Sequence, residues 1–189
     1  MSAHHRQSTT AERIETDRLV IRRPRADDAA AIFARYAADA EVTRYLSFPR
    51  HLSIDQTRAF LDFSDDEWRR WPAGPYLIED RADGRLLGGT GLGFESPWCA
   101  SAGYLLARDV WGRGYATEAV GAMVDAARRA GVVRLYAMCH IDNAASRRVL
   151  EKSGFAHEGV LRRSTMFPNL GAPGPHDAHC YAHVLEPVS

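Results

Sequence analysis

The sequence predicts one domain of the mixed α/β class, with the element order β-α-α-β-β-β-α-β-α-β-β. The 189 residues fit the size of one domain. Apolar runs of strand length alternate with segments of helical periodicity, and neither an internal repeat nor a linker divides the chain. Residues 1–15 are polar and lack any period, so we expect a flexible N-terminal tail followed by a single domain over residues 16–187.

The N-terminal half predicts one strand, two helices and a hairpin. The apolar run at 18–24 ends at a proline and predicts a short strand. Residues 26–42 carry apolar side chains at helical spacing, and Ser53 is the expected N-cap of a second helix. Two apolar runs between residues 75 and 95 flank an Asp-Gly dipeptide, which is typical of a β-hairpin turn.

The C-terminal half alternates strands with helices and closes with two strands. The predicted elements are a strand at 99–107, a helix that follows the turn at 112–117, a strand at 133–140, a short helix at 142–155, and strands at 158–166 and 179–185.

Charge and cysteine content exclude several functional classes. The chain has 24 Lys and Arg against 24 Asp and Glu, which disfavours nucleic acid or an anionic membrane as its main partner. No apolar stretch approaches the roughly 18 residues of a membrane span. Three widely spaced cysteines indicate a reducing compartment rather than a disulfide framework. We therefore expect a cytoplasmic protein, monomeric or homodimeric, that binds neither nucleic acid nor membrane.

The stretch WGRGYATEA, residues 111–119, places two glycines and an arginine between a predicted strand and a predicted helix. Gly112 and Gly114 permit backbone conformations that other residues avoid. The first turn of a helix offers unpaired N–H groups and the positive end of the helix dipole. The turn therefore predicts a site for a phosphate or diphosphate, to which Arg113 adds a cation. The alternative is an ordinary strand-to-helix loop.

Two well-known phosphate-binding motifs fit this turn poorly. The P-loop pattern G-x-x-x-x-G-K-[ST] does not occur in the chain. The dinucleotide pattern G-x-G-x-x-G lacks its last glycine, and its fold requires repeated βαβ units that the predicted element order does not supply.

Four segments together resemble the RimJ/RimL-like branch of the GNAT superfamily of N-acetyltransferases. They are ETDRLVIRRPRADDA, RYL at 44–46, GYLLARDVWGRGYATEA and DNAASRRVLEKSGF. The turn is similar to the family signature [QR]-x-x-G-x-[GA], with Trp111 in place of Gln or Arg, and the resemblance covers residues 15–187. It implies the GNAT fold: a central, mostly antiparallel mixed sheet of about seven strands, with helices on both faces and a splayed strand pair that binds acetyl-CoA.

The resemblance implies direct transfer of an acetyl group from acetyl-CoA to a primary amine, in a ternary complex and without a metal. The amine belongs to a protein N-terminus or to a small molecule. The residues implied in binding acetyl-CoA are Leu105, Leu106, Ala107, Arg113, Gly114, Tyr115, Ala116, Thr117, Asn143 and Ser146. Ser146 is also expected to act catalytically, close to the cofactor sulfur. The alternative is that Asn143 and Ser146 merely begin a helix.

Departures from the family pattern leave the proton-transfer groups open. Leu150 stands where many members carry a tyrosine that acts as general acid. Ser101 and Ala102 stand where members of this branch often carry a glutamate. His140 and Glu95 are the candidates for a general base, and His140 is the second predicted catalytic residue. A catalytically silent module that binds or senses acyl-CoA is the alternative function.

Two further features receive structural interpretations. His176, His179, His183 and Cys180 are metal-capable, but alternation along a strand directs Cys180 away from His179 and His183. Because a zinc site usually needs four convergent ligands, we predict packing or a lining of the acceptor pocket instead. Glu118, in the first helical turn, is interpreted as a solvent-exposed residue that suits the helix dipole.

Overall fold

The computed structural model describes residues 12–186 and arranges eight strands in one sheet. The strands are β1 (Arg13–Glu15), β2 (Leu19–Arg22), β3 (Pro75–Asp80), β4 (Leu86–Ser96), β5 (Cys99–Leu106), β6 (Arg134–His140), β7 (Ala156–Thr165) and β8 (His176–Val184). Their order is β1-β2-β3-β4-β5-β6-β8-β7, and all neighbours are antiparallel except β5 and β6. The predicted mixed, mostly antiparallel fold is confirmed, with eight strands rather than about seven.

The helices lie on both faces of the sheet. They are α1 (Ala29–Ile32), which continues as a π-helical turn over Phe33–Ala37, α2 (Ala40–Thr43), α3 (Ile54–Arg70), α4 (Tyr115–Arg129) and α5 (Ala144–Lys152). The predicted continuous helix at 26–42 is wrong, because Asp39 adopts an extended backbone and its carboxylate accepts the N–H groups of Glu41 and Val42. That cap starts a new helix. Within residues 12–186, no helix is both long and apolar enough to cross a membrane.

The predicted flexible tail, residues 1–15, includes three residues that form a strand in the structure. Residues 13–15 form β1, which pairs antiparallel with β2 from Arg13↔Arg22 to Glu15↔Val20. Three residues with no periodicity give no strand signal of their own, and β2 supplies the pairing that makes them a strand. Residues 1–11, where a flexible tail was predicted, lie outside the described residues.

Alternation of side chains across the sheet produces two cores. On one face, α4 buries Val120, Met123 and Ala127 against the sheet. On the other face, Ile32 and Leu61 from α1 and α3 pack around β3 and its neighbours. Because each helix layer covers its own face, the two faces of the sheet present separate surfaces where the strands diverge.

Replacing Met123 by Ala should lower the free energy of unfolding by about 2–5 kcal/mol, because this side chain of α4 is fully buried against the sheet. Urea denaturation followed by circular dichroism measures the change. Arg128→Ala is the matched control on the same helix, since its exposed side chain pairs with Asp125 and with no other residue in the described part of the chain. We expect that variant to stay within about 0.5 kcal/mol of the wild type. Equal losses in the two variants would contradict the packing of α4 on the sheet.

Candidate active site

The sheet opens between β5 and β6, the one parallel pair among the described strands. Cys99, Ala100 and Ser101 pair with residues 134–136, and the pairing stops at Tyr136. Both strands continue, β5 to Leu106 and β6 to His140, without further register between them. This divergence is the splayed strand pair that the family resemblance implies.

The backbone of β5 directs alternate N–H groups into the gap. The Ala107 N–H donates to the Leu87 carbonyl at 2.8 Å, on the β4 side, and Leu105 is two residues away in the same direction. The N–H groups of Leu106 and Tyr104 therefore point toward β6. Of the three residues predicted to bind the cofactor through their backbone, Leu106 is the one whose N–H faces the gap. Tyr104 is a further gap-facing residue that the sequence analysis did not identify.

Trp111 fixes the end of β5. Its indole N–H donates to the Leu106 carbonyl at 2.7 Å, while about half of the side chain stays exposed. The residue that departs from the family signature therefore ties the glycine turn to the strand that borders the gap.

The turn between β5 and α4 leaves several backbone donors free. Gly112 and Gly114 have φ angles of +75° and +82°, and Gly114 is the left-handed N-cap of α4. Among residues 12–186, no acceptor faces the N–H groups of residues 114–117. The Arg113 side chain is exposed, and within the same residues it has no hydrogen-bond or ion-pair partner. Free donors, a helix dipole and a free cation together form an anion-binding arrangement.

The other residues of the turn contribute mainly through their backbone. The side chains of Tyr115 and Ala116 pack against the core, and the Tyr115 hydroxyl donates to the Asp80 carboxylate at 3.4 Å. Thr117 is partly buried, and its hydroxyl has no partner in the described part of the chain. The structure thus brings all five predicted residues of the turn to the N-terminus of α4.

Glu118 is not the solvent-exposed residue that its position predicted. Its Oε1 accepts the Thr16 hydroxyl at 2.6 Å and the Arg18 backbone N–H at 2.9 Å, and its Oε2 accepts Arg18 Nε at 2.7 Å. Burial raises the pKa of Glu118, but the hydrogen bonds from Thr16 and Arg18 outweigh burial, so the pKa lies below its ordinary value. The interpretation was wrong because both partners lie at least 100 residues away in the sequence.

Ser146 lies across the gap from Tyr104. Its hydroxyl is 2.8 Å from the Tyr104 hydroxyl, and either oxygen is able to donate in that pair. The Tyr104 hydroxyl also lies 3.1 Å from the Ser146 carbonyl, which is a second acceptor for its one proton. Asn143 caps α5, since its Oδ1 accepts the Ser146 N–H at 3.1 Å. Burial raises the pKa of Tyr104, and the hydrogen bond with Ser146 only partly offsets it. The phenol therefore stays protonated and is able to donate to Ser146.

His140 lies on the opposite face of the sheet from Ser146. Its neighbour Cys139 belongs to the core beneath α4 and α5, so alternation turns the His140 ring to the other side. There the buried ring stacks on Tyr45, with centroids 5.1 Å apart, and meets the edge of Phe167 at 5.0 Å. The two predicted catalytic residues thus flank the open end of the gap from opposite sides.

The hydrogen bonds of His140 determine its protonation. The Asp142 backbone N–H donates to Nδ1 at 3.2 Å, so the neutral ring carries its proton on Nε2. Burial lowers the pKa of His140 below its ordinary value; the Asp142 carboxylate opposes this shift, whereas His176 and Arg44 add to it. The neutral ring is arranged to donate through Nε2 rather than to accept a proton.

Glu95 lies at the closed end of the gap. Tyr136, in the last residue pair between β5 and β6, donates its hydroxyl to Glu95 Oε1, and the Cys99 thiol is 3.8 Å from Oε2. Burial raises the pKa of Tyr136, and the neighbouring Glu95 raises it further. Tyr136 and His140 are four residues apart on β6, so Glu95 and His140 border the same face.

The histidines of β8 engage in local contacts. His179 Nδ1 lies 2.9 Å from His157 Nε2, and His183 meets the edge of the Phe155 ring. Cys180 faces the other way, and its thiol lies beside a carboxylate of β7. His176 contacts the rings of His140 and Phe167 on the His140 side of the sheet. Over residues 12–186, no three His, Cys, Asp or Glu side chains converge as metal ligands would.

Comparison with known proteins decides the family. A family model described as the acetyltransferase (GNAT) domain matches residues 18–156. The chain belongs to the GNAT family of acetyltransferases. YoaA of Bacillus subtilis (strain 168), named as an uncharacterized N-acetyltransferase, is 34% identical over 179 residues, which cover 90% of this chain and 96% of YoaA. The similarly named p20 of Bacillus licheniformis is 28% identical over 154 residues, which cover 80% of this chain and 86% of p20.

Solved structures agree with this GNAT chain in fold. RimL, a ribosomal L7/L12 α-N-protein acetyltransferase in complex with coenzyme A, superposes with a TM-score of 0.80 at 23% identity, covering 92% of this chain and 98% of RimL. RimJ of Mycobacterium smegmatis, in complex with a CoA disulfide, has a TM-score of 0.76 at 24% identity, with 88% and 81% coverage. These superpositions show a shared fold, and the RimJ/RimL-like branch stays a prediction from the sequence motifs.

The protonation of His140 is open to direct measurement. Because the folded protein favours the neutral ring, the imidazole should titrate below pH about 6.5, with Nδ1 as the acceptor nitrogen above that transition. Nitrogen-15 NMR reports both the tautomer and the titration, and the His140→Gln variant assigns the signal by its loss. A ring that titrates at or above about 6.5, or carries its proton on Nδ1, would contradict the described hydrogen bond.

Proposed function

We propose that this acetyltransferase takes its acetyl group from acetyl-CoA and transfers it directly to a primary amine in a ternary complex. The observation that carries the proposal is that the anion-binding turn lies just beyond the end of the strand that borders the gap. A turn with free N–H groups at residues 114–117 follows the strand that borders the gap, after a short 3-10 helix over Arg108–Val110. A cofactor with a diphosphate at one end and an extended arm at the other matches that pair of features.

The donor occupies the face of the sheet that carries α4 and α5. Its diphosphate receives the N–H groups of residues 114–117, with Arg113 as a nearby cation. The pantetheine arm lies in the gap, where Leu106 and Tyr104 offer backbone N–H groups and Asn143 borders the far side. An N–H of β5 beside the acetyl carbonyl would stabilise the negative charge that develops on the carbonyl oxygen during transfer.

Ser146 and Tyr104 assist the departing thiolate. A thiol titrates near about 8.5, so a modest hydrogen-bond donor suffices for it to leave. The Tyr104 and Ser146 hydroxyl oxygens lie 2.8 Å apart. When the phenol proton is directed to the Ser146 hydroxyl rather than to the Ser146 carbonyl, the serine proton is free to be donated toward the sulfur. Leu150 takes no part, since it is fully buried and has no proton to give.

The amine approaches from the opposite face, where His140 and Glu95 border the gap. An alkylammonium titrates near about 10.4 and must lose a proton before it attacks the thioester. We assign Glu95, hydrogen-bonded to Tyr136, as the group that accepts this proton through water. His140 positions the acceptor as a donor through Nε2. The acceptor class is a protein N-terminus or a small amine, and the YoaA and RimL similarities both support an N-acetyl product.

Cofactor binding at the turn is tested with Gly114→Asp. The substitution adds a side chain and a negative charge at the N-cap of α4, within reach of Arg18, so acetyl-CoA should no longer bind. Acetyl-CoA at about 100 times its Kd should stabilise the wild type by about 2.7 kcal/mol, seen as a rise in Tm, whereas NAD should not. The matched control is Gly121→Ala, in the middle of α4, where an added Cβ meets no atom within 4 Å. Unchanged affinity in folded Gly114→Asp, measured by calorimetry, would overturn the assignment of the turn.

The role of Ser146 is tested kinetically. Ser146→Ala should lower kcat about tenfold, below the usual range for a general acid because a thiolate leaves easily, while the Kd for acetyl-CoA stays nearly constant. Tyr104→Phe should also lower kcat, because it removes the phenol that lies beside Ser146. Thiol release from acetyl-CoA with a panel of peptide N-termini and small amines gives the rates.

Asn143→Ala provides the contrasting pattern for that experiment. Its loss should appear mainly in the KM for acetyl-CoA, because the residue caps α5 beside the pantetheine arm. If Ser146→Ala shows the same pattern, the serine is a binding residue. If Ser146→Ala is fully active with every accepted amine, solvent serves the leaving group.

A further inference from the structure

We propose that Arg18 is a positioning residue for the cofactor turn: it holds the peptide between Arg113 and Gly114 so that the free N–H groups face the diphosphate, and Glu118 holds Arg18 in place. This inference rests on the proposed function, because it concerns how the diphosphate of acetyl-CoA is received. Arg18 immediately precedes β2, distant in sequence from every residue of the turn.

Arg18 reaches two segments of the chain at once. Its Nε and Nη2 atoms both lie 2.7 Å from Glu118 Oε2, in the first turn of α4. Its Nη1 donates to the Arg113 carbonyl at 2.9 Å, in the glycine turn. The guanidinium carbon also lies 4.6 Å from the centre of the Tyr115 ring. One side chain therefore connects the turn to the helix that follows it.

The bond to the Arg113 carbonyl orients the next N–H group. A trans peptide is planar, and its C=O and N–H point in opposite directions. When Arg18 binds the Arg113 carbonyl, the Gly114 N–H is directed away from the Arg18 guanidinium. A Cβ atom on Gly114 would lie 3.4 Å from Arg18 Nη2, so the Arg18 side chain packs close to the backbone of Gly114.

Arg18 is itself fixed at its backbone. Its N–H donates to Glu118 Oε1 at 2.9 Å, and its carbonyl accepts the Arg81 N–H at 2.9 Å. The Thr16 hydroxyl occupies Glu118 Oε1 as well, at 2.6 Å. Both oxygens of Glu118 thus face the β1–β2 turn rather than the N-terminus of α4, where a free carboxylate would repel a diphosphate.

The geometry separates this role from that of a simple cation. All three guanidinium nitrogens of Arg18 already donate to protein oxygens, whereas Arg113, in the turn itself, has an exposed side chain without a described partner. Arg113 is the cation available to the ligand, and Arg18 acts on the backbone that receives it.

The test compares two ligands that differ in the part expected to lie beside the turn, the diphosphate. Acetyl-CoA carries the diphosphate, whereas S-acetylpantetheine ends before it. Each is used at a concentration that gives the wild type the same rise in Tm, and calorimetry gives the Kd for acetyl-CoA. Arg18→Ala should weaken acetyl-CoA binding by about 10- to 100-fold, as expected for loss of a charge-assisted hydrogen bond, and should leave the S-acetylpantetheine shift unchanged. Arg18→Lys should weaken acetyl-CoA nearly as much, because an ammonium does not span both partners.

Glu118→Gln separates positioning from charge by the sign of its effect. It removes a negative charge near the turn, so pure electrostatics predicts tighter binding of acetyl-CoA. Positioning predicts binding weaker by about threefold or more, since Arg18 loses the carboxylate that fixes it. Arg128→Ala, which breaks an exposed ion pair on the same helix, is the control and should bind both ligands as the wild type does.

Several results would overturn the proposal. These are unchanged acetyl-CoA affinity in Arg18→Ala, full retention in Arg18→Lys, tighter binding in Glu118→Gln, or an equal loss of both ligands, which would indicate general destabilisation. Failure of the proposed function is distinguishable from these, because it appears as absence of acetyl-CoA binding by the wild type itself.

Discussion

β5 and β6 run parallel and stay hydrogen-bonded over three residue pairs before they diverge. Backbone N–H and C=O groups that lose a partner strand cost free energy unless water, a side chain or a ligand satisfies them. Here the diverging edges end beside the turn that begins α4 and beside the cap of α5. The divergence therefore creates both an opening in the sheet and a set of free backbone donors, which the cofactor arm that we propose would satisfy.

The extent to which the fold follows from the sequence differs between elements. The hairpin of β3 and β4 and the helices α3, α4 and α5 form where local signals placed them, because an Asp-Gly turn and long amphipathic periods are strong signals. β1 was missed because three residues carry no usable pattern, and a sheet partner makes them a strand. The break at Asp39 was missed because helical periodicity outweighed the capping tendency of one aspartate.

The site shows the same division between local and distant interactions. The left-handed glycines of the turn and the Asn143 cap follow from residues adjacent in sequence. The Tyr104–Ser146 pair spans 42 residues and the Arg18–Glu118 contact spans 100, so no local pattern indicates either. Tyr104 and Arg18 nevertheless lie within the segments that resemble the family. A residue inside such a segment with no local role is a signal that a distant partner exists.

The two faces of the gap explain how this chain differs from the family pattern without losing the chemistry we propose. On the α4 and α5 face, Leu150 replaces a tyrosine, but Tyr104 places a phenol beside Ser146 from the facing strand. On the opposite face, Ser101 replaces a glutamate, but Tyr136, its register partner on β6, binds the carboxylate of Glu95. In each case a proton donor or acceptor reaches the gap from a neighbouring strand. The proposed donor to the thiolate and the proposed acceptor of the amine proton thus lie on opposite faces of the sheet, which suits direct transfer between a thioester and an amine that approach from opposite sides.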